Sequence, residues 1–172
     1  KLNALITAVP QCSGEVIVMS DANSLYERDA IGYLVAPLGD PSVGAVCGEL
    51  RYRNPDGPVS GESEGLYWRY EKAIKRAERR FHSLIGANGS IYAIRKGDFV
   101  APSPDLMDDL TIPLLIATEH GKRTVYEPRA ITTEEPGENF HQEFRRKIRI
   151  VSSALYSLVR IRGRWLRRPL FA

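Results

Sequence analysis

The chain has 172 residues, 43% of them hydrophobic and 26% charged, which suits one globular domain with a core of ordinary size. No apolar stretch approaches the ~18 residues of a membrane-spanning helix. The two cysteines have no paired motif, which favours a reducing cytoplasmic setting over a disulfide framework. The net charge of +3 is uneven, since residues 1–143 carry 15 basic and 21 acidic side chains whereas residues 144–172 carry nine basic and no acidic ones.

The first predicted strand covers residues 16–19, a short apolar and β-branched run. It leads directly into the segment SDANS, residues 20–24, which is too small and polar to continue a core strand. Because ligands of open α/β sheets collect where strands end, Asp21 is a candidate for binding a metal, a phosphate or a sugar hydroxyl. The alternative is a polar turn that caps the next helix.

The pattern then alternates between helix and strand. Residues 27–38 place apolar side chains at helical spacing, and residues 43–50 form a second buried strand whose two glycines indicate close packing by another group. This order of strand, helix and strand is the unit of a parallel sheet. Residues 53–61 are rich in Pro and Gly, which predicts a loop, and residues 62–83 predict the longest helix, with a basic outer face.

A glycine-rich segment, GANGS at residues 86–90, leads into a short strand predicted over residues 91–94. Glycine turns allow backbone amides to approach a ligand closely. Gly86, Asn88 and Gly89 are therefore candidates for a binding turn. The alternative is an ordinary tight turn.

An acidic pair, Asp108 and Asp109, follows a proline-rich break and precedes a helix predicted over residues 111–120. Two short strands are predicted beyond it, over residues 124–126 and 130–133. A carboxylate on a loop at the sheet edge is able to take a proton from an attacking hydroxyl, which contributes ~10²–10⁴ in rate. The alternative is the acidic start of an ordinary helix.

The C-terminal part predicts a helix from residue 138, with apolar side chains at intervals of three and four. Its arginines, among them Arg146 and Arg149, are suited to neutralise a diphosphate or to form a solvated face. Over residues 155–171 arginines are interleaved with large apolar side chains, which favours a segment lying on an anionic membrane. The alternative is a helix that packs these apolar residues on the domain. We therefore divide the chain into a body, residues 1–153, and a basic amphipathic tail, residues 154–172.

In this order and spacing the motifs resemble the family 2 glycosyltransferases, which are inverting enzymes with a GT-A fold. The resemblance runs along nearly the whole chain and rests on the ordered set rather than on any single motif. The stretches that carry it are KLNALITAV, GEVIVMSDANSLYERDAIGYLV, DPSVGAVCGEL, YWRYEKAIKRAE, SLIGANGSIYAIRK, DDLTIPLLIATEHGKRTVYEP and FRRKIRI. The fold class that it implies is α/β, a partial GT-A (Rossmann-like) domain with a mixed sheet and helices packed on it.

The resemblance implies a role for each cluster. The D-x-D position, held by Asp21 and Asn23, would contact the nucleotide and a Mg²⁺ or Mn²⁺ ion, and Asp109 would be the general base, preceded by the acidic Asp108. The glycine-rich segment would lie beside the sugar and the acceptor, and the arginines would contact the donor. The complete set of implied site residues is Asp21, Asn23, Gly86, Asn88, Gly89, Asp108, Asp109, Arg146 and Arg149.

The chain also departs from the family pattern. Asn23 replaces the second Asp of the D-x-D motif, which leaves a weaker metal site. Arg146 and Ile150 stand where processive members have Gln and Trp, so synthesis of a long polymer is not expected. The resemblance implies roughly a further hundred residues before Lys1. We therefore expect a fragment with little or no activity alone, which dimerises, swaps elements or aggregates through an exposed sheet edge.

The function that the resemblance implies is transfer of a sugar from a nucleotide-sugar donor to the hydroxyl of a polysaccharide, lipid-linked or other glycan acceptor. The reaction would take place at the cytoplasmic face of a membrane, with no nucleic acid as partner. The alternative is a non-catalytic module that binds anionic lipid or nucleic acid through the basic C-terminal segment. The two hypotheses differ in geometry, because the enzyme requires Asp21 and Asp109 in one cleft.

Overall fold

The computed structural model describes residues 1–53, 83–135 and 140–165. These ranges form a five-stranded mixed sheet with helices packed on both faces. The predicted α/β class with a mixed sheet is confirmed. The loop and the long helix predicted between residues 53 and 83 lie almost wholly outside the described residues.

Helices and strands follow one another along the chain. In order they are α1 (Leu2–Gln11), β1 (Val16–Ser20), β2 (Leu25–Tyr26), α2 (Ala30–Val35), β3 (Val43–Tyr52), β4 (Ile91–Arg95), α3 (Asp108–His120), β5 (Arg123–Glu134) and α4 (Phe140–Trp165). Short 3₁₀ helices follow α2 and β4, at Ala36–Gly39 and Lys96–Asp98. Among the described helices, none combines the length and the apolar character needed to cross a membrane.

The strands lie in the order β1-β4-β3-β5-β2, and only the β3–β5 pair is parallel. β1 and β3 run in the same direction, as the predicted strand–helix–strand unit requires, but β4 lies between them and is antiparallel to both. The carboxyl ends of β1, β3 and β5 therefore meet at the same edge of the sheet as the amino end of β4. We call this the carboxyl edge.

Both faces of the sheet are covered, because β1, β3 and β4 each contribute side chains to a hydrophobic cluster on either face. On one face α1, α3 and α4 pack against β1, β3 and β4. That cluster includes Leu2, Val9, Met19, Tyr92, Ile94, Ile112, Ile116 and Ile161. On the other face Leu34 of α2 and Leu38 pack against Val43, Val46 and Ile91. The sheet is thus the middle of three layers.

One continuous strand, β5, replaces the two short strands predicted over residues 124–126 and 130–133. Its pairing with β3 shifts between Cys47, opposite Tyr126, and Glu49, opposite Ile131, so that residues 127–130 bulge out of register. The bulge accommodates Pro128, which has no N–H to donate to a strand ladder. It also explains one of the strand glycines, because a Cβ at Gly48 would lie 2.5 Å from the carbonyl oxygen of Ala130.

The predicted C-terminal helix is present as α4, but most of its apolar repeat faces away from the domain. The half-exposed side chains are Phe144 (51%), Ile148 (51%), Val151 (57%), Leu155 (59%) and Val159 (58%). The side of α4 that contacts the domain carries the buried Ser157 and Ile161, and the Ser157 hydroxyl accepts the Met107 N–H at 2.9 Å. The division predicted after residue 153 falls inside this helix.

The substitution Gly48→Ala is expected to lower the free energy of unfolding by about 1–3 kcal/mol. The added Cβ would lie 2.5 Å from the Ala130 carbonyl oxygen and 2.9 Å from two side-chain carbons of Ile91, and the backbone atom cannot move aside without shifting the bulge. Urea denaturation measures the effect. Gly32→Ala in α2 is the matched control, because a Cβ there meets nothing within 4 Å and should add ~0.5–1 kcal/mol of helix stability. Unchanged or raised stability of Gly48→Ala would contradict the packing described here.

Candidate functional site

The carboxyl edge of the sheet opens into a cavity of about 570 Å³. Its walls come from the ends of β1 and β3, the loop before β4, the first turn of α3 and part of α4. The predicted site residues that line it are Asp21, Asn88, Gly89, Asp108, Asp109, Arg146 and Arg149. Asp21 and Asp109 therefore share one cleft, which is the arrangement that favours the enzyme over the binding module.

Asp21 lies where β1 ends and the chain turns toward β2. The Ser24 N–H donates to the Asp21 carbonyl at 3.2 Å, which closes the turn. The polar-turn alternative is thus correct as local structure, but its helix cap is wrong, because α2 begins only at Ala30. Asn23, in the same turn, is exposed and does not line the cavity. The structure brings Asp21 but not Asn23 to the site.

Lys1 is a residue of the site that the sequence analysis missed. Its ammonium lies 2.7 Å from Asp21 Oδ1, 3.2 Å from the Gly89 carbonyl oxygen and 3.3 Å from Asp108 Oδ2. Burial acts to lower the pKa of Lys1, but the hydrogen bond to Asp21 and the charges of Asp108 and Asp21 outweigh it and the pKa is raised. Lys1 is therefore a cation that links two acidic groups. The only signal in the sequence was a lysine preceding the first helical turn, which carries no specific meaning by itself.

Asp108 and Asp109 occupy the first turn of α3, which begins at Asp108 rather than at the predicted residue 111. Negative charge is stabilised at this end of a helix by the helix dipole. Asp108 Oδ2 and Asp109 Oδ1 are nevertheless buried without a hydrogen-bond partner among the described residues, and the Lys1 contact of Asp108 is an ion pair without hydrogen-bond geometry. Asp109 Oδ1, which has no ion pair either within the described ranges, is available to a ligand that donates a hydrogen bond.

The surroundings of Asp109 raise its affinity for a proton. Burial raises the pKa of Asp109 to about 6, and the charge of Asp108 acts in the same direction, against an opposing effect of Lys1. The buried hydroxyl of Tyr92 also has a raised pKa, mainly through burial and then through the charges of Asp108 and Asp109. Asp109 is therefore a carboxylate that is ionised at neutral pH yet binds a proton more readily than an ordinary Asp. That property suits a general base.

The glycine-rich segment passes directly over the acidic pair. The Ala87 N–H donates to the Asp109 carbonyl at 2.7 Å, and a Cβ at Gly89 would lie 2.9 Å from Asp109 Oδ2. Asn88 is held by its own N–H, which donates to Cys47 Sγ at 3.2 Å. Gly86 does not line the cavity, but a Cβ there would lie 3.2 Å from the Leu110 side chain. The glycines are thus needed for close approach of this segment to the start of α3.

The part of the cavity wall that α4 contributes is basic. Arg146, Lys147 and Arg149 of α4 all line the cavity, and Arg146 Nη1 donates to the Tyr52 hydroxyl at 3.0 Å. The cavity therefore has a negative side, formed by β1 and α3, and a positive side, formed by α4. A ligand that combines a hydroxyl-rich part with an anionic part complements this division.

The residues present fit a divalent cation only in part. Among the described residues, no group of three or more His, Cys, Asp or Glu side chains could hold a metal ion. Mg²⁺, however, is commonly held by one or two carboxylates together with substrate phosphates rather than by an all-protein cage. Asp21 supplies one such carboxylate at the cavity wall, and a phosphate ligand would have to supply further oxygens.

Comparison with known proteins identifies the family of the chain. The sequence profile described as "Glycosyltransferase like family 2" matches residues 1–153. An N-acetylglucosaminyltransferase of Rhizobium meliloti (strain 1021) is 27% identical over 164 residues, which are 87% of this chain and 38% of that protein. An N-acetylglucosaminyltransferase of Rhizobium sp. (strain N33) is 26% identical over 145 residues, 76% of this chain and 32% of that protein. The chain thus spans about a third of the length of the curated relatives it matches.

Solved structures agree on the fold. The mannosyltransferase PcManGT from Pyrobaculum calidifontis, in complex with GDP-Man and Mn²⁺, matches with a TM-score of 0.72 at 24% identity, covering 93% of this chain and 44% of that one. Glucosyl-3-phosphoglycerate synthase from Mycobacterium tuberculosis, in complex with Mn²⁺ and UDP-glucose, matches with a TM-score of 0.52 at 17% identity, covering 91% and 53%. The sheet described above is therefore the GT-A sheet. Since the family profile covers most of the length of the chain, the chain belongs to glycosyltransferase family 2.

Proposed function

We propose that the protein transfers a sugar from a nucleotide-sugar donor to an acceptor hydroxyl, with inversion at the anomeric carbon. The observation that carries the proposal is Asp109, a carboxylate with a raised pKa and an open buried oxygen, in the same cavity as Asp21 and the α4 arginines. This combination supplies a base for the acceptor and charged groups for the donor. A binding module would need neither the raised pKa nor the shared cleft.

The reaction is a single displacement. The acceptor oxygen forms a bond to the anomeric carbon while the bond from that carbon to the donor diphosphate breaks, and the hydroxyl proton passes to Asp109. Arg146 and Arg149 line the same cavity and neutralise the charge that develops on the leaving diphosphate. The negative charge of Asp108 helps to keep the pKa of Asp109 raised. Asn88 and Gly89 form the part of the wall against which the sugar packs.

Asp21 is the residue that would hold a Mg²⁺ or Mn²⁺ ion. When bound, such an ion neutralises the diphosphate and orients it. The similar mannosyltransferase and the glucosyl-3-phosphoglycerate synthase both contain Mn²⁺ together with a nucleotide sugar, which supports this assignment. Asn23 lies outside the cavity wall, so the D-x-D position contributes through its first residue.

The donor is proposed from the relatives. Both curated relatives are named N-acetylglucosaminyltransferases, so a nucleotide-linked N-acetylglucosamine is the first donor to test. GDP-mannose and UDP-glucose, which the structural relatives hold, are the comparison donors. The acceptor is a glycan or lipid-linked hydroxyl.

We also propose that the protein works on an anionic membrane surface, through the outward face of α4. Ile148, Val151, Leu155 and Val159 recur at intervals of three and four residues, which aligns them on one face, and each is more than half exposed. Exposed arginines, at positions 145 and 162, accompany this face, and residues 144–172 contain no acidic side chain. Apolar side chains between arginines suit a helix lying at an anionic bilayer surface, where each arginine contributes about 1 kcal/mol.

In the full-length protein, Asp109→Asn is expected to reduce the transfer rate by ~10²–10⁴-fold, because the amide cannot accept the acceptor proton. Donor binding should stay within about twofold, since Asp109 acts on the acceptor side. The wild-type rate should fall as pH drops below about 6, where Asp109 becomes protonated. Release of nucleotide from the donor, followed against pH, measures the rate, and calorimetry measures donor binding.

The matched control is Asp29→Asn, at an exposed position before α2 where the side chain makes no cap hydrogen bond. It removes the same charge and should leave the rate unchanged. Wild-type turnover in Asp109→Asn, or an equal loss in Asp29→Asn, would show that Asp109 is not the base.

The substitution Asp109→Asn should also stabilise the folded protein at neutral pH. Because the pKa of Asp109 is about 6 when folded and 3.8 for an ordinary Asp, the folded state binds more protons between these values. The free energy of unfolding should therefore fall as pH rises from about 4 to about 6, by on the order of 2–3 kcal/mol. Asp109→Asn removes this loss and should exceed the wild type above pH 6 but match it below pH 4, as measured by urea denaturation.

Asp40→Asn is the control of opposite sign. Hydrogen bonds from Ser42, and then Arg123, lower the pKa of Asp40 to about 2, so its stabilising contribution is present above the ordinary Asp pKa and disappears as pH falls toward 2. Asp40→Asn should therefore be less stable than the wild type at neutral pH. A gain for Asp40→Asn, or a loss for Asp109→Asn, would contradict the electrostatic description of the site.

The lipid surface is tested by sedimentation with vesicles. Wild-type protein should bind vesicles of phosphatidylcholine with phosphatidylserine at low salt, and bind phosphatidylcholine alone weakly. The double substitution Val151→Asp with Leu155→Asp should weaken binding at least about tenfold, because both apolar side chains leave the interface. The double substitution Leu25→Asp with Ile31→Asp is the matched control, since both residues are exposed apolar positions elsewhere and should not matter.

Other occupants of the α4 face give different results. A dimer seen by light scattering that the α4 double substitution dissociates, without lipid binding by the wild type, would assign the face to a second copy of the chain. Absence of wild-type binding to anionic vesicles, or equal binding of all variants, would overturn the membrane proposal.

A further inference from the structure

The ammonium of Lys1 occupies the space in front of the Asp21 carboxylate. It is 2.7 Å from Asp21 Oδ1, the closest of its three polar contacts in the described part of the chain. Its other contacts are the Gly89 carbonyl oxygen at 3.2 Å and Asp108 Oδ2 at 3.3 Å, both on the side of the cavity formed by the glycine-rich segment and α3. Lys1 therefore has a second set of acceptors within reach that does not include Asp21.

A divalent cation and the Lys1 ammonium compete for the same oxygen. Mg²⁺ and similar ions bind a carboxylate oxygen at about 2.1 Å, so an ion on Asp21 Oδ1 would lie within about 5 Å of an ammonium that stays at 2.7 Å from that oxygen. The two charges of the ion and the single charge of the ammonium repel strongly at this distance. Either the ion binds weakly or Lys1 moves away from Asp21.

We propose that Lys1 is the resident counter-ion of Asp21, and that a divalent cation binds this carboxylate by displacing the Lys1 ammonium toward Asp108 and the Gly89 carbonyl. Lys1 acts here as a positioning residue: it neutralises the acidic side of the cavity before the donor arrives and moves to the acceptor side when the ion is present. The inference rests on the proposed role of Asp21 in holding the ion. It identifies Lys1 as the group that the ion must displace. Because Lys1 contacts both Asp21 and Asp108, its displacement links ion binding to the Asp108–Asp109 pair.

The test is Mn²⁺ binding by the full-length protein at one fixed, saturating concentration of UDP, because Asp21 supplies one carboxylate and the diphosphate supplies the other oxygens. Electron paramagnetic resonance of free Mn²⁺ and calorimetry measure the binding, with the same UDP concentration for every variant. Lys1→Met should bind Mn²⁺ about five- to tenfold more tightly than the wild type, because the competing charge is removed. Lys1→Arg keeps the charge and should bind within about twofold of the wild type. Lys96→Met is the matched control, since it removes the same charge near the opposite end of β4, where Lys96 donates to the Cys12 carbonyl.

A double-substitution cycle locates the effect. Asp21→Asn should abolish the gain that Lys1→Met produces, which shows that the ion whose affinity changes is bound at Asp21. Thermal unfolding of each variant confirms that the fold is retained, and Lys1→Arg provides a folded reference if Lys1→Met is unstable.

The outcomes separate this inference from the proposed function. Equal or weaker Mn²⁺ binding by Lys1→Met, with Mn²⁺ still lost in Asp21→Asn, would overturn the inference and leave the metal role of Asp21 in place. A gain of the same size in Lys96→Met would overturn it as well, because it would reflect net charge alone. Absence of Mn²⁺ binding in every variant would overturn both the inference and the metal assignment.

Discussion

The site depends on the close approach of the glycine-rich segment to the first turn of α3. Gly89 lies so near Asp109 that a single added carbon would come within 2.9 Å of the carboxylate. This approach shields the acidic pair from water, and burial is the main reason that the pKa of Asp109 is raised. The chemistry of the carboxylate therefore follows from a packing constraint on backbone, with the charge of Asp108 as the second contribution.

The topology of the sheet makes that approach possible. β4 lies between β1 and β3 and runs against both, so the segment before it arrives at the edge where β1 ends and Asp21 begins. A purely parallel sheet would have placed this segment at the opposite edge. The reversed strand thus brings a glycine-rich turn, a strand-end acid and a helix N-terminus to one cavity, and Lys1 supplies a positive charge among the acids.

The helix α4 has two functional sides in our interpretation. Arg146 and Arg149 reach the cavity, whereas Val151 and Leu155 face away from the domain. A helix that packed its apolar repeat on the sheet could not present these arginines to the cavity, because the two sets lie on different faces of the same cylinder. If α4 lies on a lipid surface, the cavity opens close to that surface, and a lipid-linked acceptor would have only a short distance to travel.

The sequence by itself determined the α/β class, most of the strands and helices, and the family, because these follow from hydrophobic period, glycine positions and an ordered set of motifs. It also identified seven of the residues that line the cavity, including Asp21 and Asp109. Only the tertiary structure decided that β4 lies between β1 and β3, that Lys1 bridges Asp21 and Asp108, and that Asn23 lies outside the cavity. Strand order and ion pairing join residues far apart in the chain, and local spacing contains no information about such contacts. For the same reason the sequence did not show whether the apolar side of α4 packs on the domain or faces away from it. The spacing of apolar residues shows that a helix has an apolar side, but only the neighbouring elements decide whether that side is covered.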